Sequence, residues 1–185
     1  MTEWTKCPEY LNKHLSNYLK LFEQAKKQLE LADHMCYVTY PLVNETKFLL
    51  SILTHITNSV NLCMQSLLEF ERSQKSQNNQ NSSEARFARN FIVELNTYKR
   101  EIEPKYQLDR KYSKLAQKLF ELQKANLEAN VRFKRGEKYI ISLPEFGKII
   151  TLDFELVKRY LALAKKFIYE ASHIIEKGNE RRINI

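Results

Sequence analysis

The sequence predicts an all-α protein: an antiparallel up-and-down bundle of four to five helices, with a short β-hairpin at about 138–151 before the last helix. Two observations carry this prediction. Apolar residues recur at alternating spacings of four and three over most of the chain, the period of helices that pack lengthwise. Three glycines and four prolines in 185 residues are too few for the turns of an all-β fold. The length fits a single domain, residues 1–185.

The first helix is predicted to run from Pro8 to Cys36, because a proline is well tolerated in a first helical turn. Its apolar stripe is Leu11, Leu15, Tyr18, Phe22, Ala25, Leu29, Ala32 and Cys36. Pro41 disfavours the α conformation in the residue before it, so we expect a tight corner over 37–43. Asn44 is expected to cap the second helix.

The second helix, about Glu45 to Glu71, is predicted to be the central one. Its stripe is Leu49, Leu53, Ile56, Val60, Cys63, Leu67 and Phe70, and residues 48–68 carry no charged side chain. The stretch contains too many hydroxyl and amide groups for a membrane span. Such a helix needs cover on most sides, from other helices or from a second subunit, and we expect a homodimer.

A polar, flexible loop is predicted at about 73–83 because the segment SQKSQNNQNSS can bury nothing. Ser82 or Ser83 would then cap a third helix that ends or kinks at Pro104. A fourth helix is predicted over about 108–130. The stripes of these two helices are Ala88, Phe91, Leu95, Tyr98 and Ile102, and Leu108, Tyr112, Leu115, Leu119 and Leu122.

The predicted hairpin consists of two β-prone runs, 138–142 and 148–151, around the turn residues Pro144 and Gly147. An isolated hairpin is marginally stable, so one isoleucine of each run should pack on the helix ends: Ile140 or Ile141, and Ile149 or Ile150. The alternative is a projecting hairpin that grips a ligand with the cations around it, Lys134, Arg135, Lys138 and Lys148.

The last helix is predicted to be capped by Thr151 or Asp153 and to run to about Lys177, where Gly178 would stop it. Its buried stripe is expected to be Leu156, Tyr160, Leu163, Phe167, Ala171 and Ile174. The tail, 179–185, is expected to fray.

The net charge of +8 is concentrated in residues 73–136, which hold fourteen basic and seven acidic side chains. This asymmetry suggests an anionic partner but does not identify one. Lys111, Lys114 and Lys118 should line the face of the fourth helix opposite its leucines. The aromatic residues interleaved with the basic ones are Phe87, Phe91, Tyr98, Tyr106 and Phe133. The candidate nucleic-acid-binding residues are Arg86, Arg89, Arg110, Lys111, Lys114, Lys118, Arg132, Lys134 and Arg135. Such a surface neutralises phosphates without reading sequence, and the alternative is a solvated face or a protein contact.

A polar stripe on the second helix consists of Ser51, His55, Asn58 and Gln65. It is either an interhelical hydrogen-bond network that fixes register or a pocket of a small enzyme around His55. No catalytic residue, metal site or cofactor is predicted, since phosphate loops and clustered ligands are missing from the sequence. Cys36 and Cys63 are expected to be buried thiols in a reducing cytoplasm, and the start, MTEWTKCPEY, has no secretory signal.

The order of these elements, with the stretches YVTYPLV at 37–43 and LLEFER at 67–72, resembles functionally uncharacterised archaeal helical-bundle proteins. Some of those are similar to the HEPN superfamily of small RNA-associated bundles. HEPN ribonucleases carry an arginine followed four to six residues later by a histidine. Here the nearest such residues are Arg159 and His173, fourteen apart. The resemblance therefore implies a non-catalytic RNA-associated bundle; a protein-interaction or scaffold subunit is the alternative, and a small enzyme is third.

Overall fold

The computed structural model describes residues 17–76, 90–143 and 149–183, and in these ranges it has five continuous helical segments, which we call rods, and one small antiparallel sheet. The five rods span residues 17–43, 48–76, 91–106, 111–128 and 154–183. The elements in chain order are α1 (Asn17–His34), a π-helical segment (Met35–Thr39), α2 (Tyr40–Val43), α3 (Phe48–Ser76), α4 (Phe91–Thr97), a second π-helical segment (Tyr98–Ile102), α5 (Glu103–Tyr106), α6 (Lys111–Glu128), β1 (Val131–Arg135), β2 (Lys138–Ser142), β3 (Ile149–Leu152) and α7 (Phe154–Ile183). The all-α bundle with a β-hairpin before its last helix is confirmed. Several predicted features lie outside the described residues: those at Pro8, Leu11, Leu15, Ser82, Ser83, Ala88, Pro144, Gly147 and Lys148.

The pairing of the first two long helices is also confirmed: α1 packs along α3 more extensively than any other two helices pack together. Every residue of the predicted α3 stripe is buried. Two buried serines of α3 hold the pair at close range. The Ser59 hydroxyl donates to the carbonyl of Ala25 at 2.8 Å, and the Ser66 hydroxyl donates to the carbonyl of Tyr18 at 2.8 Å. These bonds fix the lengthwise register of α1 on α3.

The uncharged helix α3 lies at the centre of the bundle, in contact with α1, α4, α6 and α7. The chain itself therefore covers most of this helix, and the spare apolar surface that suggested a homodimer is small. Association with a second copy stays a prediction. Among the helices that the structure describes, none is long and apolar enough to cross a membrane. Cys36 and Cys63 are buried free thiols, as predicted.

The predicted corner at 37–43 is wrong, because the first rod continues through Pro41 to Val43. A proline ring lacks an N–H and collides with the carbonyl four residues earlier. The preceding π-helical segment avoids the conflict by shifting the hydrogen bonds to a five-residue spacing, with the N–H of Tyr40 on the carbonyl of Met35. Asn44 is not an N-cap: it has φ 50° and ends the rod, with its N–H on the carbonyl of Tyr40.

The third rod repeats this arrangement around Pro104. A π-helical segment precedes the proline, and the N–H of Glu103 reaches the carbonyl of Tyr98. The rod ends at Gln107, which has φ 53°. Its start differs from the prediction: Asn90 is extended, and its side chain accepts from the N–H of Ile92 at 3.0 Å. The helix that carries Phe91 therefore begins there, not near residue 84.

The sheet has three antiparallel strands in the order β1-β2-β3. The predicted hairpin corresponds to β2 and β3, with Ile141 opposite Ile150. Ile141 is buried, and Ile150 is partly buried against the core, which confirms that the sheet packs on the bundle. The prediction missed β1. Its signal was the alternation of Val131 and Phe133 with Arg132 and Lys134, which is the period of a strand.

Helix α7 begins as predicted at Asp153, whose side chain accepts from the N–H of Leu156 at 2.8 Å. Its buried stripe, however, is Val157, Leu161, Ala164, Phe167, Ile168, Ala171 and Ile175. Phe167 and Ala171 belong to both the predicted and the observed stripe. The other residues of the predicted stripe flank the observed one and are partly buried: Leu156, Tyr160, Leu163 and Ile174. The apolar face is wide because α7 contacts α1, α3 and α6 at once.

Two predicted ends of helices are corrected. Helix α7 continues through Gly178 to Ile183, so the glycine is no stop signal and residues 179–183 belong to the helix. The first four residues of the predicted loop at 73–83 lie in α3, which ends at Ser76. The remainder of that loop is outside the described residues.

Candidate functional site

The β1–β2 hairpin, residues 131–142, includes an edge strand that is exposed along its whole length, and we call it the basic hairpin. All five side chains of β1 are exposed. The two strands are joined by the two-residue turn Gly136-Glu137. Gly136 has φ 62° in the first central position, which is typical of a type II′ turn and disfavours a side chain. The turn therefore presents its flanking residues, Arg135 and Lys138, at the tip.

The pairing register divides the hairpin into two faces, because directly opposed residues share a face. The outer face carries Val131, Phe133 and Arg135 opposite Ser142, Ile140 and Lys138. The inner face carries Arg132 and Lys134 opposite Ile141 and Tyr139. Since Ile141 is fully buried in the core, the inner face is attached to the bundle. On the outer face Ile140 is also buried, whereas Phe133, Arg135 and Lys138 are exposed.

Three cations of the basic hairpin form no ion pair with any residue in the described ranges: Lys134, Arg135 and Lys138. Arg135 lies directly opposite Lys138 across the tip. Like charges in directly opposed positions destabilise a strand pair. This arrangement therefore has an electrostatic cost in the free protein that a bound anion would relieve.

Arg132 has a different environment, since its guanidinium is held by the end of α6. Its Nε donates to the carbonyl and to the Oδ1 of Asn126, each at 3.1 Å, and a terminal nitrogen contacts the same carbonyl. Arg132 thus anchors β1 to the last turn of α6. Its charge is not neutralised by these neutral acceptors, and it adds to the positive potential of the hairpin.

Lys114 and Lys118 of α6 are exposed on the side opposite the leucines, as the spacing predicts, and Lys111 is partly exposed. Two of these three lysines lie near acidic side chains. Lys111 pairs with Asp109 at 3.0 Å, and Lys118 lies 4.0 Å from Glu121. The backbone N–H and ammonium of Lys111 lower the pKa of Asp109, so this carboxylate is charged at neutral pH. Lys114 forms no ion pair within the described part of the chain. The surface of α6 is therefore of mixed charge.

The other candidate cations are more dispersed. Arg110 is exposed just before α6, and Arg86 and Arg89 lie outside the described residues. On the third rod, Arg100 pairs with Glu101 at 3.0 Å. Lys105 pairs with the buried carboxylate of Glu71 at 2.6 Å, so it serves the core rather than the surface. The predicted face on the third and fourth helices is thus divided, and the basic hairpin holds the largest described set of unpaired cations.

The polar stripe on α3 is divided between two interhelical contacts. His55 Nδ1 lies 2.8 Å from Gln28 Oε1 on α1, and Gln65 Nε2 donates to Glu94 Oε2 on α4 at 3.0 Å. Ser51 and Asn58 are exposed. These bonds tie α3 to its neighbours, which favours the network interpretation over the pocket interpretation.

A shallow groove of about 290 Å³ does lie along this stripe, lined by Gln28, Asn58, Asn61, Leu62 and Gln65. Its wall includes the Oδ1 of Asn61, a buried acceptor with no hydrogen-bond partner among the residues described. His55 does not line the groove. The lining consists of amides and one leucine, and it contains no acid, base or nucleophile of a small enzyme.

A buried polar cluster, which the sequence reasoning missed, connects the third and fourth rods to α7. The Tyr112 hydroxyl donates to Glu170 Oε1 at 2.5 Å. The Tyr98 hydroxyl and Glu103 Oε1 are buried and have no hydrogen-bond partner within the described ranges. Burial raises the pKa of Tyr98, Tyr112 and Cys63 above their ordinary values. The interior position gives this cluster a structural role, and tyrosine spacing within an apolar stripe was its only sequence signal.

No group of three or more metal-ligating side chains occurs among the residues that the structure describes. Comparisons of the chain with protein-family models, with curated proteins and with solved structures gave no match.

Proposed function

We propose that this protein binds RNA without acting on it as an enzyme, and that the basic hairpin is the main contact. The observation that carries the proposal is the set of three exposed, unpaired cations, Lys134, Arg135 and Lys138, on a strand pair whose five β1 side chains are all exposed. Phosphate neutralisation by such residues supplies most of the affinity of non-specific nucleic-acid binding.

The cost of opposing Arg135 to Lys138 supports an anionic ligand at the tip. In the free protein the two charges repel one another, and a phosphate between them replaces that repulsion with two attractions. Glu137, in the turn, is the one acid within the hairpin. The hairpin therefore holds four basic side chains and one acidic side chain, and its local charge is strongly positive.

The attachment of the hairpin supports binding that is positioned by the fold. Ile141 on β2 is fully buried, and Arg132 on β1 is bound to Asn126 at the end of α6. Both strands are therefore held to the bundle at their inner faces. The resemblance to HEPN bundles, and the absence of their Arg–His pair from this sequence, favour RNA as the polyanion and association as the activity.

The test is a binding titration of labelled RNA at two salt concentrations. We expect binding at low salt that weakens steeply as salt rises, since each phosphate contact contributes about −0.7 to the slope of log affinity against log salt for single strands. Absence of binding at low salt, or binding indifferent to salt, would contradict the proposal.

Three charge-reversal variants with the same change in net charge locate the surface. The first changes Lys134, Arg135 and Lys138 to Glu, and the second changes Lys111, Lys114 and Lys118 to Glu. The third is a control at Lys20, Lys27 and Lys166, which are exposed elsewhere on the bundle. We expect the hairpin variant to lose the most RNA affinity and the control variant to lose little. Equal losses in all three would show that only net charge matters.

A second candidate function, protein association, is favoured by exposed apolar side chains at the end of the first rod. Tyr37, Val38, Leu42 and Val43 are 46–81% exposed. The nearby cations Lys165 and Lys158 are paired with Asp33 and Glu155 at 2.5 Å, so the patch has little charge of its own to repel a second copy. Sedimentation at high concentration tests the predicted homodimer: a 22.1 kDa species would contradict it, and Leu42→Lys should convert a dimer to that species.

A further inference from the structure

The outer face of the basic hairpin combines an exposed aromatic ring with the cations at the tip. Phe133 is 45% exposed on the solvent side of an edge strand. Its neighbour two residues along β1 on the same face is Arg135, and its diagonal neighbour on β2 is Lys138. Diagonal positions on one face of a strand pair lie about 7–8 Å apart. The ring and two cations therefore share one small surface.

The ring is not needed by the core. Phe133 is absent from the contiguous cluster of buried and partly buried apolar side chains, whereas Tyr139 and Ile141 on the inner face belong to it. Its cross-strand partner, Ile140, is 7% exposed, whereas Phe133 itself keeps 45% of its surface in solvent. An aromatic side chain with this exposure has surface against which another flat group can stack.

From this juxtaposition we infer that the protein binds single-stranded rather than duplex nucleic acid, with an unpaired base stacked on Phe133 and its phosphates on Arg135 and Lys138. The inference rests on the proposed function and adds the class of ligand. Bases of a duplex are stacked on one another and offer no face to a side chain, whereas every base of a single strand has one. Cations alone bind the phosphates of either form and give no preference for a single strand.

The experiment compares a labelled single-stranded RNA with a duplex of the same length and labelling, at one salt concentration, for the protein and its Phe133 variants. We expect the single strand to bind more tightly. Phe133→Ala should weaken its binding roughly fivefold to a hundredfold, the range for loss of one stacked base. Phe133→Leu, which keeps an exposed apolar group but no π-face, should weaken the binding as much. Phe133→Trp, which keeps a π-face, should bind as tightly as the parent protein.

Salt dependence separates stacking from phosphate contact. The Phe133 variants should keep the salt slope of the parent protein, whereas Arg135→Ala and Lys138→Ala should each reduce it by about 0.7. In a Trp4→Phe background, the emission of the indole introduced by Phe133→Trp should be quenched by single-stranded RNA and not by duplex. Circular dichroism checks that each variant is folded, which the exposure of Phe133 leads us to expect.

The other outcomes contradict either the stacking inference alone or the proposed function as well. Equal affinity for single strand and duplex, with Phe133→Leu and Phe133→Ala binding like the parent, removes the stacking inference and leaves the proposed function standing. If the protein binds neither form at low salt, the proposed function fails and this inference fails with it. If an acidic peptide such as poly-glutamate competes as well as single-stranded RNA does, the surface is a general polyanion or protein contact and the inference is wrong.

Discussion

The ring of Phe70 occupies the space that a β-carbon on Gly178 would need. A β-carbon built at this glycine lies within van der Waals radii of Cζ, Cε1 and Cε2 of the ring. Phe70 is 1% exposed and also contacts the ring of Tyr18 edge-on, with centroids 5.1 Å apart. The glycine therefore allows α7 to approach α3 closely at the end of the bundle where the Tyr18 hydroxyl meets Asn179.

Gly178→Ala should destabilise the protein by about 1–3 kcal/mol, the usual cost of overpacking a well-filled core. In an exposed helix the same change stabilises by about 1 kcal/mol, so the sign of the effect is diagnostic. Chemical denaturation measures the free energy of unfolding. Phe70→Leu in combination with Gly178→Ala should recover part of the loss, and a stabilising Gly178→Ala would show that the ring is not where we describe it.

Tyr98→Phe and Tyr112→Phe should have opposite effects, although both rings are fully buried. The Tyr112 hydroxyl donates to Glu170, and its removal should cost about 1–2 kcal/mol. The Tyr98 hydroxyl is buried without a partner in the described residues, so its removal should be neutral or stabilise by about 1 kcal/mol. Thermal and denaturant unfolding of the two variants test this, and a clear loss for Tyr98→Phe would mean that its hydroxyl has a partner.

Alkaline pH should destabilise the fold through the same side chains. Burial raises the folded-state pKa of Cys63 above 9.0 and of Tyr98 and Tyr112 above 10.0. Groups of this kind contribute stability that is complete below the unfolded pKa and lost as the pH rises, because the unfolded chain releases protons that the folded chain retains. We expect the free energy of unfolding to fall above about pH 9, and less steeply in Tyr98→Phe. An unchanged slope in that variant would contradict the assignment.

Ser59→Ala should cost about 1 kcal/mol, and Ser66→Ala should cost a similar amount, because each removes a buried hydrogen bond between α3 and α1. Ser51→Ala is the matched control. It lies on the same helix but is exposed, and alanine has the higher helix propensity, so the change should be neutral or slightly stabilising. If the three variants unfold alike, the serine bonds do not hold the two helices in register.

The long helices could be predicted because their information is local. The alternation of four and three along Leu49 to Phe70 identifies every buried position of that stripe, since helix period and burial coincide there. The α7 stripe was displaced by one residue because Leu156 and Val157 are both apolar and a wide face has no single seam. The rule for the residue before a proline predicted a corner at Pro41. That rule does not include a π-helical segment, which lets the chain keep its direction.

The candidate site was predictable in part. Exposure of Lys114 and Lys118 followed from their spacing against the leucines. The ion pair of Lys118 could also be predicted, since Glu121 follows it by three residues, a spacing at which helix side chains meet. Predicting that Arg135 lies opposite Lys138 would have required recognising β1. The alternation in that strand was missed because the segment is short and mostly charged. The Tyr98 cluster depends on which helices meet in space, and no local pattern contains that.

The position of α7 has a consequence for how the protein is made. Helix α7 covers α3, yet the ribosome completes α3 at Ser76 and does not reach Phe154 until 78 residues later. At roughly 5–20 residues per second this interval lasts about 4–16 s. During this interval the apolar face of α3 that α7 covers in the folded protein is uncovered. Chains stalled on the ribosome at Leu152 should therefore bind holdase chaperones. Chains in which α7 has fully left the ribosome should no longer bind them.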